Sequence, residues 1–238
     1  MFMQNIVITG IDNALANCER RRKAAFKDVY GKSKGIDIAQ ALRGLSPLLT
    51  EEQEKQFYAV FMSEKYIDLD KPVPHSSGIL KNLHKNSYTI VYLTARNYAL
   101  REKTIEWLGN HKFPLPDREN VYLFMKDGSI RNDSSTDSYF IEKRLGEINE
   151  MGNIVLGVAS SLAEVAVFSN FGVRPVVLEA SKGPAGLNVS LENTTVVKSW
   201  KEIESFLKQK EKPLEIKESP KTAEEEKKDG KNTDFVTY

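Results

Sequence analysis

The residues best placed to do chemistry stand where short apolar segments end. Asn5-Ile6-Val7-Ile8-Thr9 runs straight into Gly10-Ile11-Asp12-Asn13-Ala14-Leu15. A carboxylate at such a point, Asp12, can accept or donate a proton. A second segment, Val91-Tyr92-Leu93, leads into Thr94-Ala95-Arg96. A hydroxyl at a strand–helix turn can cap the helix or hydrogen-bond an anion held at its N-terminus. A third apolar segment, residues 154–158, leads into Ala159-Ser160-Ser161-Leu162-Ala163-Glu164, which offers one acid a helical turn beyond a serine.

These positions need elements to hold them. Residues 6–8, 89–93, 122–124, 154–158 and 176–178 are short, apolar throughout and rich in β-branched and aromatic side chains. That pattern predicts strands buried on both faces of a parallel sheet. Between them lie amphipathic stretches. Residues 98–110 put Leu100, Thr104, Ile105 and Leu108 on one stripe, and residues 161–171 put Leu162, Val165, Ala166 and Ser169 on another. Strands alternating with helices predict a doubly wound α/β core. From Ala16 to Pro74 the alternation stops. Helical patterns punctuated by Gly31, Gly35 and Gly44 fill this stretch with no convincing strand, and Thr50-Glu51-Glu52-Gln53 reads as a capping box. The expected organisation is an α/β core of residues 1–15 and 75–209, an all-helical insert of residues 16–74, and a tail of residues 210–238. The tail holds too few apolar residues to offset its ordering entropy and is expected to be disordered.

The strand with Asp-x-Asp-x-Thr-Leu that opens the haloacid dehalogenase superfamily resembles residues 5–15, and the resemblance extends over about residues 5–207. It implies a Rossmann-like core with a helical cap inserted after the first motif, and Mg2+-dependent phosphate-ester hydrolysis through an aspartyl phosphate. By the same resemblance Gly10 stands at the nucleophilic Asp, Asp12 at the general acid/base, and Ala14 at the usual Thr. Glycine has no side chain to attack phosphorus, and a covalent intermediate needs a nucleophile held in line. A register shifted by two residues would instead make Asp12 the nucleophile and leave Ala14 at the acid/base. Val91-Tyr92-Leu93-Thr94-Ala95-Arg96 is similar to the second motif, with Thr94 as the phosphate-binding hydroxyl. The third motif's Lys falls nearest Ile141. Lys143 is two residues along, about 200° around the helix, and so points elsewhere. In the fourth motif Ser160 stands at the metal-binding Asp and Glu164 at the second acid. Serine is a poor Mg2+ ligand, and Glu164 alone is a weak metal candidate.

Bulk properties bound the alternatives. Lys and Arg total 34 against 33 Asp and Glu, which argues against a global attraction to nucleic acid or anionic membrane. The single cysteine, Cys18, cannot form an intrachain disulfide and reads as a small packing residue, which suits a reducing, cytoplasmic setting. No apolar run approaches the roughly 20 residues of a membrane helix, and the start of the chain does not read as a signal peptide. Arg20-Arg21-Arg22-Lys23 reads as the solvated face of a helix, with contact to RNA, an acidic partner or a phosphorylated ligand as the alternative. His75, His84 and His111 lack metal-ligand spacing.

Three functions are therefore in play. The leading expectation is a superfamily member without catalysis, binding a protein, a nucleoprotein or a phosphorylated ligand through insert or tail, with no cofactor. The second is a weak or atypical phosphohydrolase using Asp12, Thr94 and Lys143 or Glu164, with Mg2+. The third is a structural subunit of a larger complex.

Overall fold

The computed structural model describes residues 4–31, 50–127, 137–160, 162–178 and 194–211; the expected tail lies outside them, save its first two residues. Strands β1 (Asn5–Thr9), β4 (Thr89–Asn97), β5 (Val121–Lys126), β6 (Asn153–Ala159), β7 (Pro175–Leu178) and β8 (Thr195–Val197) form one parallel sheet in the order β5-β4-β1-β6-β7-β8. The chain builds outwards from β1 through β4 to β5, then crosses back to build β6, β7 and β8 on the other side. The order reverses between β1 and β6, and the carboxyl ends of strands at such a point are the usual ligand position in open α/β sheets.

The period of two along β1 and β4 sorts their side chains into two cores. Val7, Ile90 and Tyr92 face one layer, packed with Leu80, Trp107, Trp200 and Ile203. Ile6, Ile8, Val91 and Leu93 face the other, packed with Phe140, Ile141, Leu145, Ile148 and Phe168. The first layer includes helices α3 (Ser76–Lys85), α4 (Arg101–Asn110) and α7 (Trp200–Glu211); the second is α5 (Asp137–Met151) and α6 (Leu162–Asn170). Each fully buried aliphatic or aromatic side chain contributes about 1.5–3 kcal/mol. Gly157 is needed where α6 meets β6, since a Cβ there would stand 2.7 Å from the Phe168 ring.

Between β1 and β4 the chain leaves the sheet through β2 (Ala16–Asn17) and α1 (Glu19–Tyr30). It returns through α2 (Glu51–Phe61), a 3-10 turn (Glu64–Leu69) and β3 (Lys71–Pro72). The capping box is present: Thr50 Oγ1 accepts from Gln53 N at 3.2 Å and Gln53 Oε1 accepts from Thr50 N at 2.9 Å. Phe26 of α1 packs edge-on against Phe57 of α2, which in turn stacks on Phe61, joining the two helices.

Several expectations need correction. The excursion is not wholly helical, because β2 and β3 pair antiparallel where its two ends cross. The stripe expected on α6 is wrong: Val165, Val167 and Phe168 are buried, whereas Ala166 and Ser169 are exposed. Small residues are weak markers of burial, and the sheet-facing side is set by the large ones. Strand β8 was not expected; it is an edge strand in which only Val197 is buried, so it lacks the wholly buried pattern of the inner strands.

Candidate functional site

β1 ends at Thr9, and Gly10 N donates to Val158 O of β6. This pairing brings Gly10 beside the loop after β6. A Cβ on Gly10 would lie 3.1 Å from Ser160 Oγ and 3.4 Å from Glu164 Oε1. Glu164 itself is buried, and Oε2 accepts from both Ser160 N–H and Ser160 Oγ, the latter at 2.8 Å. The only acid of the fourth segment is thus turned back onto its own serine and amide.

Asp12 sits in the turn that follows, closed by a bridge to Ala16 and by Asn13 in the left-handed region (φ 62°). Its carboxylate meets two arginines that are both fully buried. Arg96 Nε donates to Oδ2 at 3.0 Å and Arg96 Nη2 to Oδ1 at 2.7 Å. Arg21 Nη2 donates to the same Oδ1. A second buried carboxylate, Asp70, completes the group: Arg96 Nη2 donates to its Oδ2 at 3.1 Å, and Arg21 Nε lies 3.2 Å from its Oδ1. Two guanidinium charges are therefore matched by two carboxylates. Asp12 and Arg96 belong to the sheet's carboxyl edge. Arg21 lies on α1, just after the chain leaves, and Asp70 lies just before β3, where it returns.

Surrounding contacts fix the group. The Arg21 guanidinium stacks on the Phe61 ring, 4.3 Å from its centroid. Trp107 Nε1 donates to Asp70 O at 3.3 Å, and Trp200 Nε1 donates to Ala14 O at 2.9 Å. Cys18 Sγ donates to Asp12 Oδ1 at 3.2 Å.

The charges set the protonation states. Burial works to raise the Asp12 pKa, but Arg21 and Arg96 together hold it far below the usual carboxylate range, so Asp12 has no proton to give near neutral pH. Burial pushes Asp70 up to about 6 against the pull of the same arginines, its Oδ1 having no aligned hydrogen bond. Burial, then the neighbouring Asp12, pushes the Cys18 thiol up, so it is a packed thiol and not a thiolate.

Not all of the expected residues converge. Thr94 is buried at the carboxyl edge, and its hydroxyl accepts from Arg96 N at 3.3 Å. The strand does not end there, as expected. It continues with an irregularity to Asn97, which caps the next turn by accepting from Ala99 N at 2.9 Å. Ile141 is core, and Lys143 is exposed on the far side of α5. Among the described residues the buried lysine is instead Lys126, the last residue of β5, whose Nζ donates to Asp137 Oδ1 at 2.7 Å. A lysine closing an apolar strand was the available signal. Arg21 overturns the solvated-face expectation for residues 20–23: Arg20 and Lys23 are exposed, but Arg21 is wholly buried. Asp70 carried no local signal.

This donor set does not fit Mg2+. The ion favours carboxylates and water in an octahedron. Gly10 offers no ligand, Ser160 only a hydroxyl that already donates to Glu164, and Asp12 is bonded to two cations. Asp12, Cys18 and Asp70 place ligand atoms within 4.8 Å of one another, but guanidinium groups occupy that space.

Comparison with known proteins places these features in context. The family model described as PITM 1-3, LNS2 domain matches residues 57–177, a stretch that holds Thr94, Ser160 and Glu164 but begins after Gly10 and Asp12. A Bacillus cereus protein named "Putative nucleotidase" is 25% identical over 121 residues, covering 49% of this chain and 64% of that protein's length. Two solved structures share the fold. One is a phosphatase from Clostridium acetobutylicum described as predicted, with TM-score 0.65 and 13% identity over 87% of this chain and 99% of its own. The other is a haloacid dehalogenase-like family hydrolase from Streptococcus pneumoniae, with TM-score 0.61 and 13% identity over 85% and 98%. Among the described residues no helix is long and apolar enough to cross a membrane.

Proposed function

Since this chain belongs to the family described as PITM 1-3, LNS2 domain, on a haloacid dehalogenase-like fold, we propose that it is a member that works by binding and does not hydrolyse phosphate esters. The observation that carries this reading is the ion group Arg21–Asp12–Arg96–Asp70, which neutralises Asp12 from within the protein. Phosphate-ester hydrolysis of the superfamily type needs three things at this edge: a nucleophile, a proton donor and a cation. Gly10 supplies no nucleophile. Asp12 is held ionised and so is a poor general acid, since an efficient one keeps its proton near the working pH. The acids that would hold a cation are engaged by arginine, serine and amide.

The chemistry left to this edge is cohesion. It ties both ends of the helical excursion to the sheet, and recognition passes to the outer surfaces. The nucleotidase name of the Bacillus cereus relative motivates the choice of substrates for the test. The purified chain and its Thr94→Val variant are assayed with Mg2+ on an aryl phosphate and on nucleoside monophosphates. Equal background rates are expected. A rate above background that Thr94→Val abolishes, with the circular dichroism of the two proteins unchanged, would overturn the reading.

A further inference from the structure

A groove lies at the opposite end of the sheet from Asp12. The end of α3 and the 109–118 connection form its walls, so it sits before the amino ends of β4 and β5, whereas Asp12, Thr94 and Ser160 lie at or beyond carboxyl ends. Its volume is about 480 Å³. Lys81, Lys85, Lys112 and Arg118 line it, all exposed, over an apolar floor that includes Phe113 and Leu115. No Asp or Glu lines it, and among the described residues none of the four cations is ion-paired. In a chain of net charge +1 this is a local concentration of charge, not a reflection of bulk composition.

The groove is also preformed. Buried Tyr92 donates its hydroxyl to Pro114 O at 2.9 Å, Ser77 Oγ donates to Lys112 O at 2.8 Å, and His84 Nε2 is 2.9 Å from Glu119 O. The connection is thus tied to β4 and, twice, to α3, so little ordering remains to be done on binding.

We propose that this groove docks an acidic peptide segment of a partner protein, its carboxylates meeting the four cations and one apolar side chain resting on the half-buried Leu115. The combination selects this class of partner. A single-stranded nucleic acid would want exposed aromatic faces for stacking, and the aromatic here is buried in the floor. The C-terminal ends of α3 and α4 also point to this edge and disfavour any anion set directly against them, so the anion-binding groups are the cationic side chains along the rim. An extended peptide spreads its charge along the rim and uses the apolar floor as well.

The proposal rests on the binding reading, but its test is separate, because phosphatase assays report nothing about this edge. The full chain is titrated into a fluorescein-labelled peptide in which glutamates flank a leucine and a phenylalanine, and anisotropy is read at low and high salt. Saturable, salt-sensitive binding is expected. It weakens by about tenfold or more in Lys81→Glu/Lys112→Glu, and it is unchanged in Lys27→Glu, an exposed lysine on α1. No binding, equal binding of the glutamine-for-glutamate peptide, an unchanged double variant, or displacement by a single-stranded oligonucleotide at lower concentration than by unlabelled peptide would each overturn it.

Discussion

Arg96 closes a two-pronged grip on Asp12, with Nε on one carboxylate oxygen at 3.0 Å and Nη2 on the other at 2.7 Å, across 84 residues of sequence. Bidentate pairing of this kind is strong and directional. It joins the turn after β1 to the end of β4, while Arg21 and Asp70 carry the same network into the excursion. Removing one member of a buried pair leaves its partner's charge uncompensated.

Asp12→Asn should therefore destabilise the fold by about 3–5 kcal/mol, read as a fall in the urea midpoint. Arg96→Met should cost a similar amount. In the double variant the two losses should fall well short of additive, because the pair acts as a unit. Additive losses would mean that the contact contributes little.

The two carboxylates predict opposite pH slopes. Asp12 has a folded-state pKa far below its unfolded value, so its stabilisation is full above about pH 5 and is lost as pH falls through 4 and below. Asp70 has a folded pKa raised to about 6, so its contribution is full below its unfolded value of 3.8 and is lost as pH rises through 6. The urea-midpoint gap between the unmodified chain and Asp12→Asn should widen from pH 3 to pH 5. The gap to Asp70→Asn should narrow from pH 4 to pH 7.

Restoring carboxylates should restore cation binding. Gly10→Asp alone puts a second negative charge within reach of Glu164 and should lower Tm. Gly10→Asp/Ser160→Asp should gain a Mg2+-dependent rise in Tm of about 3–5 °C, while the unmodified chain shows none. Thermal denaturation with Mg2+ against EDTA reads both arms. An equal Mg2+ response in the unmodified chain would show that a site exists as the chain stands.

Trp200 is wholly buried and ties α7 to the turn that holds Asp12. Trp200→Phe keeps most of the apolar contact but leaves Ala14 O without its donor, so a loss of about 1–3 kcal/mol is expected. Lys143→Ala should be neutral to within about 0.5 kcal/mol, since the side chain stands in solvent. Chemical denaturation of the two variants side by side distinguishes the positions.

Much of this protein could be read from its residues in order. The alternation of strands and helices and the Thr50 capping box are local patterns, because burial on a strand or helix repeats with a short period. Gly10 and Ser160 also stood out, against the family motifs that their segments resemble. What could not be read was charge burial. Arg20, Arg21 and Lys23 look alike in sequence, yet only Arg21 meets Asp12, Asp70 and the Phe61 ring. Residue type fixes the charge, but only the fold decides which carboxylate lies opposite it. The groove between α3 and the 109–118 connection arises in the same way, from two pairs of cations, Lys81 with Lys85 and Lys112 with Arg118, that lie more than 25 residues from each other and that the parallel sheet brings to one edge. Periodicity determined the scaffold; long-range electrostatic pairing, which has no period, was decided by the tertiary structure alone.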